Sequence, residues 1–506
     1  MHSPLRGPRR LIQPALALLL ALVIVLPAGL VGNGTPARAA IPIRPRITGI
    51  APLSKEVYGF LPYWRIDAGT VDRIQYELVS TIAIFGIGIK ADGNLDTTQP
   101  GYIDYVGDDV AAITNAAHDK GVRVVPTFQL FDSGSLVKMR AFLASTPAQT
   151  RFIGQALDLM AARQADGANL DFEPMFNEDA ASYLAFVARL RTAMKARFPT
   201  AHLVNDTSAG AGMELIQGLV PLVDRQMIMT YGYRNSSSTV TGAVAPLDNT
   251  ARTVRAHIQH ILYFAPANTI LMGEPYYGYD WPVTANVPNA TVQSNKTTFG
   301  PAYSVTYAAA RDFLATHPEV ARQYDALQGS GYFTYWDVAK KTWRQVYFED
   351  ERSLAEKDDF VLTTGLAGVG IWTLDNDRGY PDLWDLLRAK FYAPVHAVTV
   401  GASVTNVTAR AGFVNAVVHY SGRNVGTVPE RGTWIWTIRD ARGRMWLSGK
   451  GPTETIYPGK AIGHVIKVRI GVASRLPAGT YLIRARFERI PGHYFRSQDA
   501  RFRQPY

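Results

Sequence analysis

Asp171 and Glu173 stand two apart in the run Asp166-Gly167-Ala168-Asn169-Leu170-Asp171-Phe172-Glu173. Leu170 and Phe172 alternate with them, so on a β-strand the two carboxyls share one side and the apolar pair takes the other. Neighbouring carboxyls repel, which raises the pKa of one of them. The raised group can act as a general acid near neutral pH while its neighbour stays charged. In isolation an Asp-x-Glu pair more often solvates a strand end or caps the next helix. The surrounding chain reverses that balance.

Short β-rich runs recur at 57–61, 78–89, 123–130, 167–173, 202–208, 226–233, 269–277 and 368–374. Amphipathic stretches such as 108–120 and 179–197 lie between most of them; in the latter, Tyr183, Phe186, Val187 and Leu190 fall at helical spacing. Eight β/α alternations predict an α/β fold, a (β/α)8 TIM barrel over residues 57–393. The long gap before the eighth strand holds aromatic-rich pieces and predicts a small α+β insertion at about 282–348. TIM barrels do chemistry at the C-terminal ends of their strands, and Glu173, Tyr231, Tyr277 and Trp372 all fall there.

The octet resembles the D-G-x-D-x-D-x-E signature of family-18 glycoside hydrolases, the chitinase-like TIM barrels. Further segments resemble the same family in the right order: Tyr58-Gly59-Phe60-Leu61-Pro62-Tyr63-Trp64, Met229-Thr230-Tyr231, Gly273-Glu274-Pro275-Tyr276-Tyr277-Gly278-Tyr279-Asp280-Trp281 and Gly368-Val369-Gly370-Ile371-Trp372. The resemblance implies substrate-assisted retaining hydrolysis, in which the sugar's 2-acetamido oxygen is the nucleophile. It assigns Glu173 as general acid and base, Asp171 as the group that orients the acetamido, Tyr231 as its hydrogen-bond donor and Trp372 as the apolar floor. Tyr277 and Asn169 are expected at the substrate. Tyr63 and Trp64 either line the cleft or plug the barrel base.

Two positions depart from the typical chitinase. Asn169 replaces the middle Asp, as it commonly does in the branch that acts on bacterial peptidoglycan. The run Gly242-Ala243-Val244-Ala245-Pro246-Leu247 is shared with that branch too. The favoured substrate is therefore peptidoglycan over chitin. Asn169 is expected to hydrogen-bond Asp171, shortening the carboxylate relay. Gly232 replaces the Asp that usually follows the sixth-strand Tyr. Its loss leaves a second reading open, a catalytically weakened or inactive barrel that binds GlcNAc glycans.

Cysteine is absent, which excludes disulfides, thiolate metal sites and cysteine nucleophiles. The ten His are scattered without metal-ligand spacing, and no phosphate-cradling loop occurs, so no metal, cofactor or nucleic-acid partner is expected. Residues 1–39 read as a secretory signal: Arg6, Arg9 and Arg10, an apolar run over 15–26, and Ala37-Arg38-Ala39. Residues 40–56 follow as a leader. A secreted monomer with a possible wall association is expected.

After Phe391 helix signals stop, and alternating β-rich runs separated by Gly, Pro and Asn predict a β-sandwich of immunoglobulin-like class over 396–506. Trp434 and Trp436 alternate on one strand face and fit its core better than a sugar platform. Those residues hold 17 Lys+Arg against five acids, so they carry +12 of a chain whose net charge is +10. A basic tail on an acidic body suggests an anionic surface such as a cell-wall polymer.

Overall fold

The computed structural model describes residues 41–48, 53–392, 397–425, 429–457, 459–490, 493–497 and 499–504. The expected signal over 1–39 and the expected joint at 393–395 lie outside them. Seven strands come first: β1 (Glu56–Pro62), β2 (Thr81–Gly88), β3 (Arg123–Phe131), β4 (Gly167–Glu173), β5 (His202–Ser208), β6 (Arg225–Met229) and β7 (Ile270–Pro275). The insertion follows: β8 (Tyr277–Val283), β9 (Tyr303–Thr306), β10 (Gln323–Asp325), β11 (Ser330–Asp337) and β12 (Thr342–Phe348). Then β13 (Gly368–Trp372) slots between β7 and β1 and closes an eight-stranded parallel barrel in the order β1-β13-β7-β6-β5-β4-β3-β2.

Barrel strands are covered on both faces, which is why β2 reads as an almost unbroken apolar run, Thr81-Ile82-Ala83-Ile84-Phe85. Phe60, Phe85, Val125, Val204, Met227 and Leu271 pack inside the barrel. The outer layer joins the other strand faces to the helices, including Tyr183, Phe186, Val187 and Leu190 of helix Ala180–Arg197.

The second strand begins at Thr81 and the eighth ends at Trp372, each inside its expected span, and two further boundaries bear on the site. The sixth strand stops at Met229, because Thr230 turns the chain, its Oγ1 donating to the Gly273 carbonyl at 2.8 Å. The seventh stops at Pro275, and Tyr277 already belongs to the insertion. The inserted sheet therefore starts at 277 and runs β10-β11-β12-β8-β9, all antiparallel, with helix Tyr307–Thr316 against it. Buried Asp280 ties it together, accepting from Arg344 Nε and from the Tyr335 hydroxyl, each at 2.8 Å. Helix Glu351–Thr364 returns the chain, opened by an Asp350–Ser353 capping box and ended by Gly365 at φ 75°.

Residues 41–48 lie extended along the barrel. Arg46 Nε donates to Asp166 Oδ1 at 2.7 Å, and His118 Nε2 lies 3.0 Å from Asp166 Oδ2. Asp166, the first residue of the octet, thus anchors the entry of β4, away from the carboxyls at its exit.

The C-terminal part is all β: β14 (Val398–Arg410), β15 (Phe413–Asn424), β16 (Glu430–Asp440), β17 (Met445–Ile456), β18 (Ala461–Val472), β19 (Gly479–Ile490), β20 (His493–Arg496) and β21 (Ala500–Gln504). β14, β15 and β18 form one antiparallel sheet, and the others form a second around β16 and β19. One apolar core joins the two, with Trp434 and Trp436 both buried in it. Strand alternation places Arg439, Lys450, Arg484, Arg486, Arg496 and Arg501 on the opposite face of the second sheet.

Candidate active site

β4 carries the expected acids. Its alternation turns Asn169, Asp171 and Glu173 to the barrel interior while Leu170 and Phe172 join the outer core. Asn169 is fully buried, Asp171 is 4 % exposed and Glu173 is half-buried at the strand's end. The result is a column of three polar side chains that ends in a reachable carboxyl.

Asn169 does not bond Asp171. Its Oδ1 accepts from the Tyr58 hydroxyl at 3.1 Å, and its Nδ2 donates to Asp206 Oδ2 at 2.7 Å. The carboxylate beside Asn169 thus comes from the next strand. Asp206 stands two residues after barrel-facing Val204 on β5, so it faces the same interior. It is 7 % exposed. The one-sided signal was legible in His202-Leu203-Val204-Asn205-Asp206, but an acid on a barrel strand draws notice only once its register to Asn169 is known.

Three carboxyls therefore share one poorly hydrated space. Burial, then the charges of Asp206 and Glu173, push Asp171 well above the usual carboxylate range. Asp206 is pushed up by burial and by Glu173, against the pull of the Asn169 hydrogen bond. Glu173 is raised by burial. Asp171 Oδ1 and Asp206 Oδ1 have no hydrogen-bond partner, so the Asn169 bond to Asp206 Oδ2 offsets only part of the cost of ionising the cluster. The three carboxyls cannot all ionise together, and each is shifted upward, the direction a general acid requires.

Tyr231 follows the turn at Thr230 and faces this cluster. Burial and the charges of Asp206, Tyr277, Asp171 and Glu173 hold its phenol protonated and able to donate. The Tyr277 ring stands at 75° to it, centroids 6.4 Å apart. Trp372 closes the opposite side, against Phe85 at 4.8 Å and Phe60 at 5.5 Å. Trp64 is 51 % exposed and 6.5 Å from Trp372, so it belongs to the cleft mouth and not to the barrel base. Tyr63 packs edge-on against Trp64 at 4.8 Å. All eight expected site residues therefore gather at one end of the barrel.

Behind Glu173 lies a cavity of about 230 Å³ lined by Phe172, Asp206 and Met229 among others. It shares Ser208, Gly210 and Met229 with a larger one of about 730 Å³ that runs past Tyr231 to Arg234 and Arg252. Gly232 sits in the wall of the larger cavity at φ +77°, a left-handed conformation that a side chain disfavours, although a Cβ would meet nothing within 4 Å. Gly232→Ala is expected to cost about 1 kcal/mol in urea denaturation, from backbone conformation alone; a neutral change would show that the turn relaxes.

The sequence profile of the glycosyl hydrolases family 18 matches residues 118–377. The chain belongs to glycoside hydrolase family 18. Among relatives of this glycosidase, the putative sporulation-specific glycosylase YdhD of Bacillus subtilis is 25% identical over 338 residues, 64% of this chain and 74% of its own. The cortical fragment-lytic enzyme of the same organism is 30% identical over 174 residues, 34% of this chain and only 35% of its own length. The crystal structure of the Bacillus cereus spore cortex-lytic enzyme SleL superposes with a TM-score of 0.55 at 23% identity, over 66% of this chain and 73% of that one. The last likeness concerns the fold. In the family-18 glycosidase described here, the carboxyl next to the octet's middle position is on β5.

Proposed function

We propose that this glycosidase is secreted and hydrolyses β-1,4 bonds of a GlcNAc-containing polymer, peptidoglycan before chitin, by substrate-assisted retaining catalysis. The observation that carries this reading is the column Asn169–Asp171–Glu173 facing Tyr231 beside the Trp372 ring. Protonated Glu173 gives its proton to the glycosidic oxygen as the C1–O bond breaks. The acetamido carbonyl oxygen takes C1 in the same motion, forming an oxazolinium ring. Asp171, ionised at this step, accepts from the acetamido N–H and offsets the ring's positive charge. Tyr231 donates to the acetamido oxygen and holds it at C1. Glu173, now a carboxylate, takes a proton from water, which opens the ring with the original configuration.

The substrate preference rests on Asn169, on the 242–247 run and on the likeness to a cortical fragment-lytic enzyme. Its test is digestion of purified peptidoglycan beside chitin oligosaccharides. Products with reducing GlcNAc ends from peptidoglycan support it; products from chitin alone move the substrate. Binding without any product would favour the second reading, to which Gly232 points.

We assign the basic face of the second C-terminal sheet to an anionic wall polymer. Six cations stand on it, while Glu488 and Asp499 are the acids beside Arg486 and Arg484. Reversing Arg439 and Arg501 to Glu in the full chain is expected to abolish pelleting with purified walls at low salt. Because the Debye length is about 10 Å at 0.1 M, added salt should do the same to the unaltered protein. Salt-independent pelleting would rule this role out.

A further inference from the structure

The 730 Å³ cavity beside the reaction centre is cationic, and beyond Tyr231 its lining has no use in the chemistry above. Its inner end is Tyr231, and its outer part is walled by Arg234, Arg252 and His257. No Asp or Glu lines it. Arg234 is half-buried, and its Nε is shielded from solvent without a hydrogen-bond partner. Nearby Arg255, by contrast, is matched, its Nε donating to Asp248 at 2.9 Å. His257 Nδ1 is engaged by the Tyr233 hydroxyl at 2.8 Å and the Thr253 carbonyl at 3.0 Å. That leaves two guanidiniums turned to a space large enough for a sugar, with donors that nothing in the cavity wall answers.

We infer that Arg234 and Arg252 form a subsite for a carboxylate carried by the sugar next to the reacting GlcNAc. A guanidinium presents paired N–H donors that match a carboxylate, and a neutral GlcNAc polymer offers it none. The inference rests on the peptidoglycan reading and sharpens it. In that glycan GlcNAc alternates with muramic acid, so the neighbour on either side of the reacting GlcNAc bears a lactyl ether. Its carboxyl is free when the stem peptide is absent; when the peptide is present, the peptide's own carboxyls lie close by. Both sources offer the same chemistry to the two arginines. The subsite also gives Gly232 a physical sense, because an Asp there would place a negative charge in the wall of a cavity built for an anion.

The test compares three glycans: a neutral GlcNAc oligomer, an amidase-stripped GlcNAc–muramic acid glycan, and the same glycan with stem peptides. The full chain and its Arg234→Gln/Arg252→Gln variant are assayed on each. The expected result is that the variant's preference in kcat/KM for carboxylate-bearing over neutral glycan falls about tenfold or more, and that the salt dependence of that preference flattens. A fall on the stripped glycan identifies the lactyl carboxylate; a fall on the peptide-bearing glycan alone identifies the peptide. An unchanged preference on both overturns the subsite while leaving the peptidoglycan reading intact. Turnover of the neutral oligomer only, by the unaltered chain, overturns both. Binding of the same three glycans in a Glu173→Gln background makes the comparison without turnover. Exposed Arg252→Gln alone serves if the double variant does not fold.

Discussion

Glu173→Gln is expected to lower kcat on a GlcNAc oligomer by about 10³-fold, within the 10²–10⁴ range that general acid–base catalysis supplies. Binding of the same oligomer should stay within a few-fold. Gln is nearly isosteric and can still donate an N–H to the glycosidic oxygen, but it cannot release a proton to it. The loss therefore falls on the transition state, at about 1.4 kcal/mol per decade. The surroundings make the residue sensitive. Burial raises the Glu173 carboxyl, so the glutamate holds its proton to a higher pH than an exposed one would, and the amide has no proton to release. Asp171 cannot take over as proton donor, because it is deeper in the barrel at 4 % exposure and is ionised during the reaction. The check is single-turnover kinetics beside isothermal titration. Equal kcat in the two proteins would remove Glu173 from the reaction, and loss of binding together with rate would make it a structural residue.

Much of this was legible in the chain because strand alternation is a local property. Leu170 and Phe172 against Asp171 and Glu173 place two acids on one face before any fold is known. The barrel was legible from eight repeats of one β/α period, and the burial of Trp434 and Trp436 from alternation on a single strand. What was not legible depends on register between strands. Nearness in sequence suggests that Asn169 bonds Asp171, whereas residues two apart on a strand stack along the barrel axis and need not touch. The lateral neighbour across β4 and β5 is what reaches Asn169, and Leu170↔Asn205 pairing sets Asp206 beside it. The ends of β6 and β7 are hidden in the sequence for a related reason. Apolar character continues through Tyr231 and Tyr277, but a hydrogen bond from Thr230 to the neighbouring strand turns the first, and pairing with β9 and β12 claims the second. Arg234 and Arg252 are 18 residues apart in sequence and meet only in a cavity wall.

Asp206→Asn is the sharper test of how this barrel handles charge. Asn169 donates its Nδ2 hydrogen to Asp206 Oδ2, and an amide oxygen at 206 can accept the same bond, so the geometry is kept and only a titrating group is removed. Asp206 is raised by burial and by Glu173, and the coupling is reciprocal: an ionised Asp206 raises Glu173 and Asp171 in turn. Taking it away lowers both. The alkaline limb of kcat/KM, where Glu173 loses its proton, should then move to lower pH by about one unit, and kcat at pH 8 should fall about tenfold. Stability should move in the opposite sense. A carboxyl whose folded pKa lies above its unfolded value favours the fold below the unfolded pKa and loses that contribution as pH rises through the folded one, so wild type pays for Asp206 above it. The variant should be more stable than wild type at pH 8 by about 1.4 kcal/mol for each pH unit by which folding raises the group, and the gap should close toward pH 4. The exchange Asn169→Asp with Asp206→Asn returns the carboxyl to β4 and should bring the alkaline limb back toward wild type. That recovery separates a charge effect from a packing defect, since a packing defect would deepen with the second change. Superimposable pH profiles for wild type and Asp206→Asn would mean that the carboxyl on β5 is structural and that Asp171 and Glu173 set the protonation state between themselves.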